Sequence, residues 1–248
     1  MNTYQSITQD IINLGIKPYD KIAVHSSMKK IGETEGGGDT VLDAFCDYLV
    51  AEGLLMLPCH TWGIIEEHGN VFHRDMPSNL GLLPNLFRVR KGVYRSLHPT
   101  HSVCAFGQNA EEFVQGELGS ESYCSSKSCY KKLMDMGGKI LLVGVTLTKN
   151  TFFHGIEEWI TDHHDWFEET PKFFQVQLEN GDLVDNPVYF TKMDTSEYFD
   201  KAMDLVLGEA STKVGKIGNA DCILMDCQKI YPVIKKKLLE NPRFFMTD

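Results

Sequence analysis

Short apolar runs alternate with stretches of helical spacing over the first two thirds of the chain. Three runs are bounded by glycine, proline or charged residues: Lys21–Ser26, Leu54–Pro58 and residues 139–145. Runs of this length without polar alternation are typical of strands buried on both faces of a sheet. The pattern therefore predicts an α/β fold, in which a central, mostly parallel or mixed sheet is flanked by helices.

Capping residues indicate where the helices begin. An amphipathic stretch near the N-terminus predicts the first helix. Asp39 and Thr40 can cap a second helix over residues 41–50. Asn150 is a good N-cap residue that follows the strand over residues 139–145, so it predicts a helix over Thr151–Ile160.

The last third of the chain has a different pattern. Residues 172–178 and 183–190 flank Asn180-Gly181, which predicts a hairpin with a two-residue type I′ turn. An amphipathic helix over residues 195–207 and a final helix over residues 226–239 follow. This portion is expected to be α+β.

Composition and charge limit the possible partners. The chain has 248 residues, 42% of them hydrophobic, and its net charge of −10 works against binding nucleic-acid backbones. Seven cysteines without a Cys-x-x-Cys pair suit free thiols in a reducing compartment. The polar start is unlike a secretory signal, and no apolar run approaches the ~20 residues that span a bilayer. We expect a cytoplasmic protein that binds neither nucleic acid nor membrane.

Residues 150–157 contain the clearest candidate for acid-base chemistry. His154 falls in the first turns of the predicted helix, with Glu157 three and Glu158 four residues further on. One of these carboxylates can hold the imidazole in one tautomer and raise its basicity. A helix that starts at the carboxyl end of a strand directs its first side chains at the usual ligand position of an open α/β sheet. Taken alone, the segment also fits a surface histidine with a solvated partner.

A second candidate follows the first strand. Ser26, Ser27 and Met28 end that strand, and three glycines at positions 36–38 precede the next helix. Glycines let backbone amides approach an anion at a helix N-terminus. The pattern is neither a Walker A motif nor G-x-G-x-x-G. It fits either a flexible loop or a site for a pantetheine cofactor that carries a diphosphate.

Several histidines raise the question of a metal. His98 and His101, in the Pro-containing turn of residues 95–107, could join His60, His68 or His73. No His-Glu-x-x-His or thiolate pattern supports a metal, so we expect none. The alternative functions are a non-catalytic small-molecule binding domain and a histidine-rich metal-dependent hydrolase. The hydrolase would use His60, His68, His98, His101, His163, His164 and Asp165.

Together these segments resemble the aminoglycoside 3-N-acetyltransferase family, closely over residues 22–160 and weakly through residues 215–221. No single matching segment is specific to the family, but the order and spacing of the segments together are. The matching pieces are His25-Ser26-Ser27-Met28, Ile31-Gly32 with the glycines after it, Leu57-Pro58, Arg95-Ser96, His98-Pro99, Ser102, Gly144-Val145, Asn150-Thr151, His154 and Glu157.

The resemblance implies an acyl-CoA donor, the primary amine of an amino sugar as acceptor, and a base that works without metal. His154 would be that base, oriented by Glu157, and amides near Ser27 and Met28 or the Ser102 hydroxyl would stabilise the oxyanion. The residues expected to contact coenzyme A are Ser26, Ser27, Met28, Gly32, Gly37, Gly38, Ser96, Ser102 and Val103. Those expected to contact the acceptor are His60, Arg74, Asp75, Arg95, His98 and Asn150.

Two acceptor classes stay open. An aminoglycoside, which is a polycation, would favour an acidic cleft made by Glu66, Glu67, Asp162, Asp165, Glu168 and Glu169. A nucleotide-linked amino sugar would favour Arg74, Arg88 or Arg95 for its diphosphate. We expect one acyltransferase domain over residues 1–248, with the coenzyme and catalytic portion in about 1–160 and the hairpin and C-terminal helices in about 161–248. A homo-oligomer is compatible with the sequence, which does not fix the oligomeric state.

Overall fold

A computed structural model describes residues 1–49, 52–161 and 166–246 of the chain. The strands in chain order are β1 Lys21–Ser26, β2 Leu54–Pro58, β3 Val71–Phe72, β4 Tyr94–Arg95, β5 Val103–Gly107, β6 Lys139–Val143, β7 Lys172–Gln177, β8 Leu183–Val188, β9 Lys213–Ile217 and β10 Ala220–Asp226. The helices are α1 Tyr4–Asn13, α2 Met28–Ile31, α3 Gly38–Leu49, α4 Leu82–Phe87, α5 Ala110–Phe113, α6 Cys129–Asp135, α7 Thr151–Ile160, α8 Met203–Gly208 and α9 Cys227–Glu240. Short 3₁₀ helices cover Ile65–His68, Leu147–Lys149 and Ser196–Ala202.

The central sheet has seven strands in the order β4-β5-β2-β1-β6-β10-β9. Strand β1 pairs in parallel with β2 and β6, and every other pairing in this sheet is antiparallel. The predicted α/β class with a mixed sheet is confirmed. Within this sheet, parallel pairing joins only the three central strands that the apolar runs identified.

Alternate residues of the central strands enter different cores, as the two-residue period of a strand requires. In β1, Ile22 and Val24 pack with apolar residues of α1 and α3. Ala23 faces the other way and packs with residues of α6, α7 and α9. Helices therefore cover both faces of the sheet, and their first turns can reach its strand ends.

A second, three-stranded sheet has the order β3-β7-β8. The predicted hairpin is present, but its type I′ turn is wrong. The Leu178 amide donates to the Asp182 carbonyl, and the Gly181 amide donates to the Leu178 carbonyl. Gly181 has a φ of +89°, whereas Asn180 is not among the residues with positive φ. A three-residue loop with glycine in the left-handed region therefore joins β7 to β8.

Some predicted boundaries shift. Helix α3 begins at Gly38 rather than at residue 41, so Asp39 lies in its first turn, where it pairs with Arg90. Val50, the predicted end of that helix, lies outside the described residues. Strand β6 ends at Val143, because the next residue, Gly144, turns the chain with a φ of +66°.

The C-terminal third also differs from its prediction. Residues 195–207 form a 3₁₀ helix followed by α8, and the last helix begins at Cys227 with Asp226 as its N-cap. Strands β9 and β10, which were not predicted, add two antiparallel strands to the central sheet. The last third is thus built into the same sheet as the first. None of the described helices combines the length and apolarity needed to cross a bilayer.

Candidate active site

A cavity of about 840 Å³ opens where the parallel strands end. Its wall includes Ser26 at the end of β1, His60 after β2, and the start of α7 after β6. Parallel strands end at the same edge of a sheet, so this is the position at which open α/β sheets usually bind ligands. The volume lies in the range of small-molecule sites.

His154 lies in the cavity wall, one turn into α7. Its Nδ1 is 3.2 Å from Glu157 Oε2, and the Thr195 hydroxyl donates to the same oxygen at 2.9 Å. The rings of Tyr123 and Phe199 contact His154 edge-on, with centroids 5.7 and 4.8 Å away. One imidazole nitrogen is therefore held by a carboxylate, which leaves Nε2 for a ligand.

Burial raises the pKa of Glu157, while hydrogen bonds from His154 and Thr195 lower it. The neighbouring Glu158 has a different role, because it is hydrogen-bonded to the Ser122 hydroxyl. Burial raises the pKa of Glu158 to about 7. Of the two predicted partners for His154, the structure pairs it with Glu157.

Three further histidines lie in the cavity wall: His25, His60 and His101. The His101 ring is 4.5 Å from that of His60 and is stacked on Tyr123 at 4.4 Å. Burial lowers the pKa of His25 to about 4, and it lowers the pKa of His60 and His101 well below the usual value. These three imidazoles are therefore neutral at pH 7.

Arg95 and Ser102, both predicted to contact substrates, form a buried brace instead. The Arg95 guanidinium donates to Ser102 Oγ at 3.0 Å and to the carbonyls of Arg74 and Cys59, each at 2.8 Å, as well as to that of Met76. Ser102 in turn donates to the Cys59 carbonyl at 2.8 Å. Neither residue is among the described residues of the cavity wall, so their predicted contacts with the substrates stay predictions without structural support.

His98 and Ser96 are structural in the same sense. His98 Nε2 donates to the Ser122 carbonyl at 3.2 Å, and its Nδ1 accepts from the amides of Thr100 and His101. Ser96 accepts from the Val103 amide at 3.0 Å, and Val103 itself is buried in the core. These internal contacts give no support to the predicted acceptor contact of His98 or to the coenzyme contacts of Ser96 and Val103, which stay predictions.

Three glycines predicted to contact coenzyme A have different surroundings: two pack against other parts of the protein, and one has open space around it. A side chain at Gly38 would come within 2.8 Å of Leu86, so this position packs against α4. Gly32 packs against Asn219: a Cβ at this position would lie only 2.6 Å from the Asn219 side-chain nitrogen. Gly37 has open space around it and a φ of +68°. Of these three predicted coenzyme contacts, only Gly37 has open space where a side chain would stand.

The remaining coenzyme candidates flank the end of β1. Ser26 lies in the cavity wall. The Ser27 amide donates to the Val143 carbonyl at 2.9 Å, and Met28 packs against the core beneath α3. Ser27 and Met28 thus have contacts of their own within the protein.

Of the predicted acceptor residues, His60 and Asn150 lie in the cavity wall. Arg74 is exposed and pairs with Glu179 at 2.7 Å, and the carbonyl of the exposed Asp75 accepts from Arg88 at 2.8 Å. Arg74 and Asp75 are therefore placed on the surface, away from the wall.

The predicted acidic cleft is also not at the cavity. Its described members are exposed and none is part of the wall: Glu66, Glu67, Glu168 and Glu169. Asp162 and Asp165 lie outside the described residues. Asp194, which was not predicted, supplies a carboxylate to the wall, and Lys149 supplies a cation.

Within residues 1–49, 52–161 and 166–246, no group of three His, Cys, Asp or Glu side chains could hold a metal ion. His163, His164 and Asp165, which the hydrolase alternative requires, lie outside these ranges.

Sequence reasoning missed Tyr123, Asp194 and Thr195. Asp194 and Thr195 carried only a helix-start signal. Thr195 reaches Glu157 across 38 residues of chain, and no local pattern indicates such a contact.

Comparison with known proteins identifies the class to which this protein belongs. The sequence model of the aminoglycoside 3-N-acetyltransferase family matches residues 23–239. The protein is therefore an N-acetyltransferase, and the chain belongs to the aminoglycoside 3-N-acetyltransferase family.

Three relatives illustrate the match. The SPbeta prophage-derived aminoglycoside N(3′)-acetyltransferase-like protein YokD of Bacillus subtilis (strain 168) is 26% identical over 266 residues, which cover 96% of this chain and 93% of that protein. The structure of a mutant of AAC(3)-IVa in complex with a gentamicin matches with a TM-score of 0.85 and 23% identity, over 100% of this chain and 92% of that one. AAC-IIIb with CoASH matches with a TM-score of 0.83 and 22% identity, over 96% of both chains.

Proposed function

We propose that this protein transfers an acetyl group from acetyl-CoA to a primary amine of an amino sugar, with His154 as the general base and Glu157 as its orienting carboxylate. The observation that carries the proposal is the 3.2 Å contact between His154 Nδ1 and Glu157 Oε2 in the wall of the cavity. A carboxylate at Nδ1 holds the tautomer whose Nε2 can accept a proton.

An amine near neutral pH is mostly ammonium and cannot attack a thioester. His154 Nε2 takes one proton from the ammonium, and the freed lone pair attacks the thioester carbonyl carbon. The carbonyl π electrons move to oxygen and return as the carbon–sulfur bond breaks. His154 passes its proton to the departing coenzyme A thiolate. The second proton leaves the nitrogen for solvent, so the products are an amide, a thiol and one proton.

The proposed donor is supported by the family and by the fold that this chain shares with AAC-IIIb, which was solved with CoASH. Ser26 in the cavity wall and the open position of Gly37 are our candidates for coenzyme contacts.

The proposed acceptor is an aminoglycoside. The curated relatives are named as aminoglycoside acetyltransferases, and AAC(3)-IVa was solved with a gentamicin. Asp194 in the cavity wall is close enough to Glu157 to raise the pKa of that carboxyl, so it can attract an ammonium group near the base. No observation favours the nucleotide-linked acceptor, since Arg74 pairs with Glu179 and the Arg95 donors are used internally.

The test is a thiol-release assay with acetyl-CoA and two acceptors, a 3-amino aminoglycoside and a nucleotide-linked 3-amino-deoxysugar. We expect release that depends on the aminoglycoside and matches the N-acetylated product measured by mass spectrometry. Thiol release with the nucleotide-linked sugar alone would show that the proposed acceptor is wrong, and it would leave the proposed role of His154 unchanged. The absence of release with any amine, or stoichiometric zinc whose chelation abolishes activity, would contradict the proposal.

A further inference from the structure

Acyl transfer creates negative charge on the thioester oxygen, and hydrogen-bond donors aimed at that charge are a major part of catalysis. Two donors expected from the sequence are already used. The Ser27 amide donates to the Val143 carbonyl at 2.9 Å, and the Ser102 hydroxyl donates to the Cys59 carbonyl at 2.8 Å. Met28, whose amide was the third expected donor, is not among the described residues of the cavity wall, so a side chain of that wall is better placed to serve the oxyanion.

Asn150 is such a donor. Its side chain lies in the cavity wall and is 1% exposed, and neither Nδ2 nor Oδ1 has a hydrogen-bond partner among the residues that the structure describes. Buried polar groups almost always have partners, and leaving one without costs about 1–3 kcal/mol. An amide that is kept buried and unpaired in the wall of a substrate cavity indicates a partner that arrives with the substrate.

The position of Asn150 also favours negative charge. It is the N-cap residue of the ten-residue helix α7, but its side chain makes no capping hydrogen bond. The first amides of a helix and its dipole attract anions. His154 follows one helical turn later, a rise of about 6 Å, so this donor lies beside the proposed base.

Asn150 differs from the other unpaired groups of the wall. Among the described residues that line the cavity, His25 and His60 also have a buried nitrogen without a partner. A neutral imidazole donates from only one nitrogen, whichever its tautomer protonates. The carboxamide nitrogen carries two protons at every pH, and it belongs to the helix of the base.

We propose that Asn150 Nδ2 donates a hydrogen bond to the thioester oxygen of acetyl-CoA as that oxygen becomes the tetrahedral oxyanion. This inference rests on the proposed function. Nucleophilic attack forms the carbon–nitrogen bond and moves the carbonyl π electrons to oxygen, where Asn150 stabilises them. Collapse returns the electrons to the carbonyl and breaks the carbon–sulfur bond. Asn150 gains and loses no proton, and it takes up this contact by a side-chain rotation as the substrate enters.

A contact to the phosphates of coenzyme A is less consistent with this geometry. The whole pantetheine arm separates those phosphates from the thioester. The reacting carbon must lie within contact distance of an amine that is itself hydrogen-bonded to His154. A side chain one turn from His154 therefore meets the thioester end of the coenzyme.

The kinetic test uses Asn150→Ala and Asn150→Asp in the thiol-release assay, with an aminoglycoside and a simple primary amine as acceptors. We expect Asn150→Ala to lower kcat by about 10²–10³-fold with both acceptors, while KM changes by less than about threefold. Asn150→Asp should be no better, because a carboxylate cannot donate and repels the oxyanion. Asn180→Ala, in the exposed β7–β8 loop, is the matched control and should keep normal turnover.

A stability measurement separates this role from a structural one. Asn186 is equally buried, but its carboxamide donates to the Ser120 carbonyl at 2.9 Å and accepts from the Gly119 amide at 2.7 Å. Asn186→Ala should lower the melting temperature by several degrees, at about 2–4 °C per kcal/mol. Asn150→Ala should melt at or above the wild-type temperature, because it removes a buried group that has no partner.

Three results would overturn the inference. The first is a normal kcat in Asn150→Ala while His154→Ala is inactive, which would leave the proposed function intact. The second is a raised KM for one acceptor with unchanged kcat, which would assign Asn150 to ground-state binding. The third is the absence of thiol release from the wild type, which would remove the proposed function and this inference together.

Discussion

Residues 95–102 and 150–157 are two polar segments at the same edge of the sheet, and the structure uses them in opposite ways. In the first, Arg95, His98 and Ser102 are buried, and each has hydrogen bonds within the protein. In the second, Asn150 is buried and has no hydrogen-bond partner in the described part of the chain, and His154 is partly accessible with one nitrogen held by Glu157. Both segments resemble the family. The first contributes His101 alone to the cavity wall, whereas the second brings both Asn150 and His154 there.

This difference gives a general criterion for buried polar residues. Groups that satisfy each other hold the chain in place, and they lose stability when they are replaced. Groups left unsatisfied beside a cavity reduce stability in the free protein and are retained for a ligand. The first segment should therefore respond to substitution in stability, and the second in turnover.

The largest expected effect is at Arg95. Arg95→Leu removes a donor from each of the carbonyls of Arg74, Met76 and Cys59, and of these only the Cys59 carbonyl keeps another donor, the Ser102 hydroxyl. We expect the free energy of unfolding to fall by about 3–5 kcal/mol, measured by denaturant titration. An unfolding free energy near that of the wild type, together with a raised KM for the acceptor, would instead assign Arg95 to the substrate.

The next largest effect is expected at Glu157, one of two adjacent carboxyl residues in α7. Glu157→Gln keeps the shape but cannot stabilise a protonated His154, so we expect kcat to fall about 10²-fold. Glu158 contacts Ser122 rather than His154, and Glu158→Gln is the matched variant, with turnover close to normal. Equal losses in both variants would show that the assignment of Glu157 is wrong.

A smaller effect is expected in the pH dependence of stability. Burial lowers the pKa of His98 to about 4 in the folded protein, against an unfolded value near 6.5. The unfolded chain therefore binds more protons between these values, and His98 costs stability as the pH falls from 6.5 towards 4. The slope of unfolding free energy against pH should be shallower in His98→Gln by up to about 1.4 kcal/mol per pH unit. An unchanged slope would contradict a buried neutral His98.

The smallest effect is expected at Thr195. Its hydroxyl donates to Glu157 and lowers the pKa of that carboxyl, so Thr195→Val should raise it. Glu157 would then protonate at a higher pH, and turnover would be lost earlier on the acid side, with a fall of only a few-fold near neutrality. Thr195→Ser should restore the profile. If Thr195→Val lost stability but its pH profile of turnover did not shift on the acid side, the role of Thr195 would be purely structural.

The sequence predicted the central strands and the His154–Glu157 pair, because both depend on local patterns. Apolar runs identify β1, β2 and β6, and three-residue spacing on a helix brings the imidazole to the carboxylate. Strand β9 was missed because all of its residues except Ile217 are exposed, so it shows no apolar run. The contacts of Arg95 with the Met76 and Cys59 carbonyls, and that of Thr195 with Glu157, join residues 19–38 positions apart, which no local pattern encodes.

The most direct test compares His154→Ala with Ser102→Ala in one thiol-release assay, with coenzyme A binding and thermal unfolding measured on the same samples. The account predicts that His154→Ala loses about two to four orders of magnitude in kcat while it still binds coenzyme A. Ser102→Ala should unfold at a lower temperature and keep kcat within about threefold of the wild type. Near-normal turnover in His154→Ala, or an equally large loss in a folded Ser102→Ala, would contradict the account.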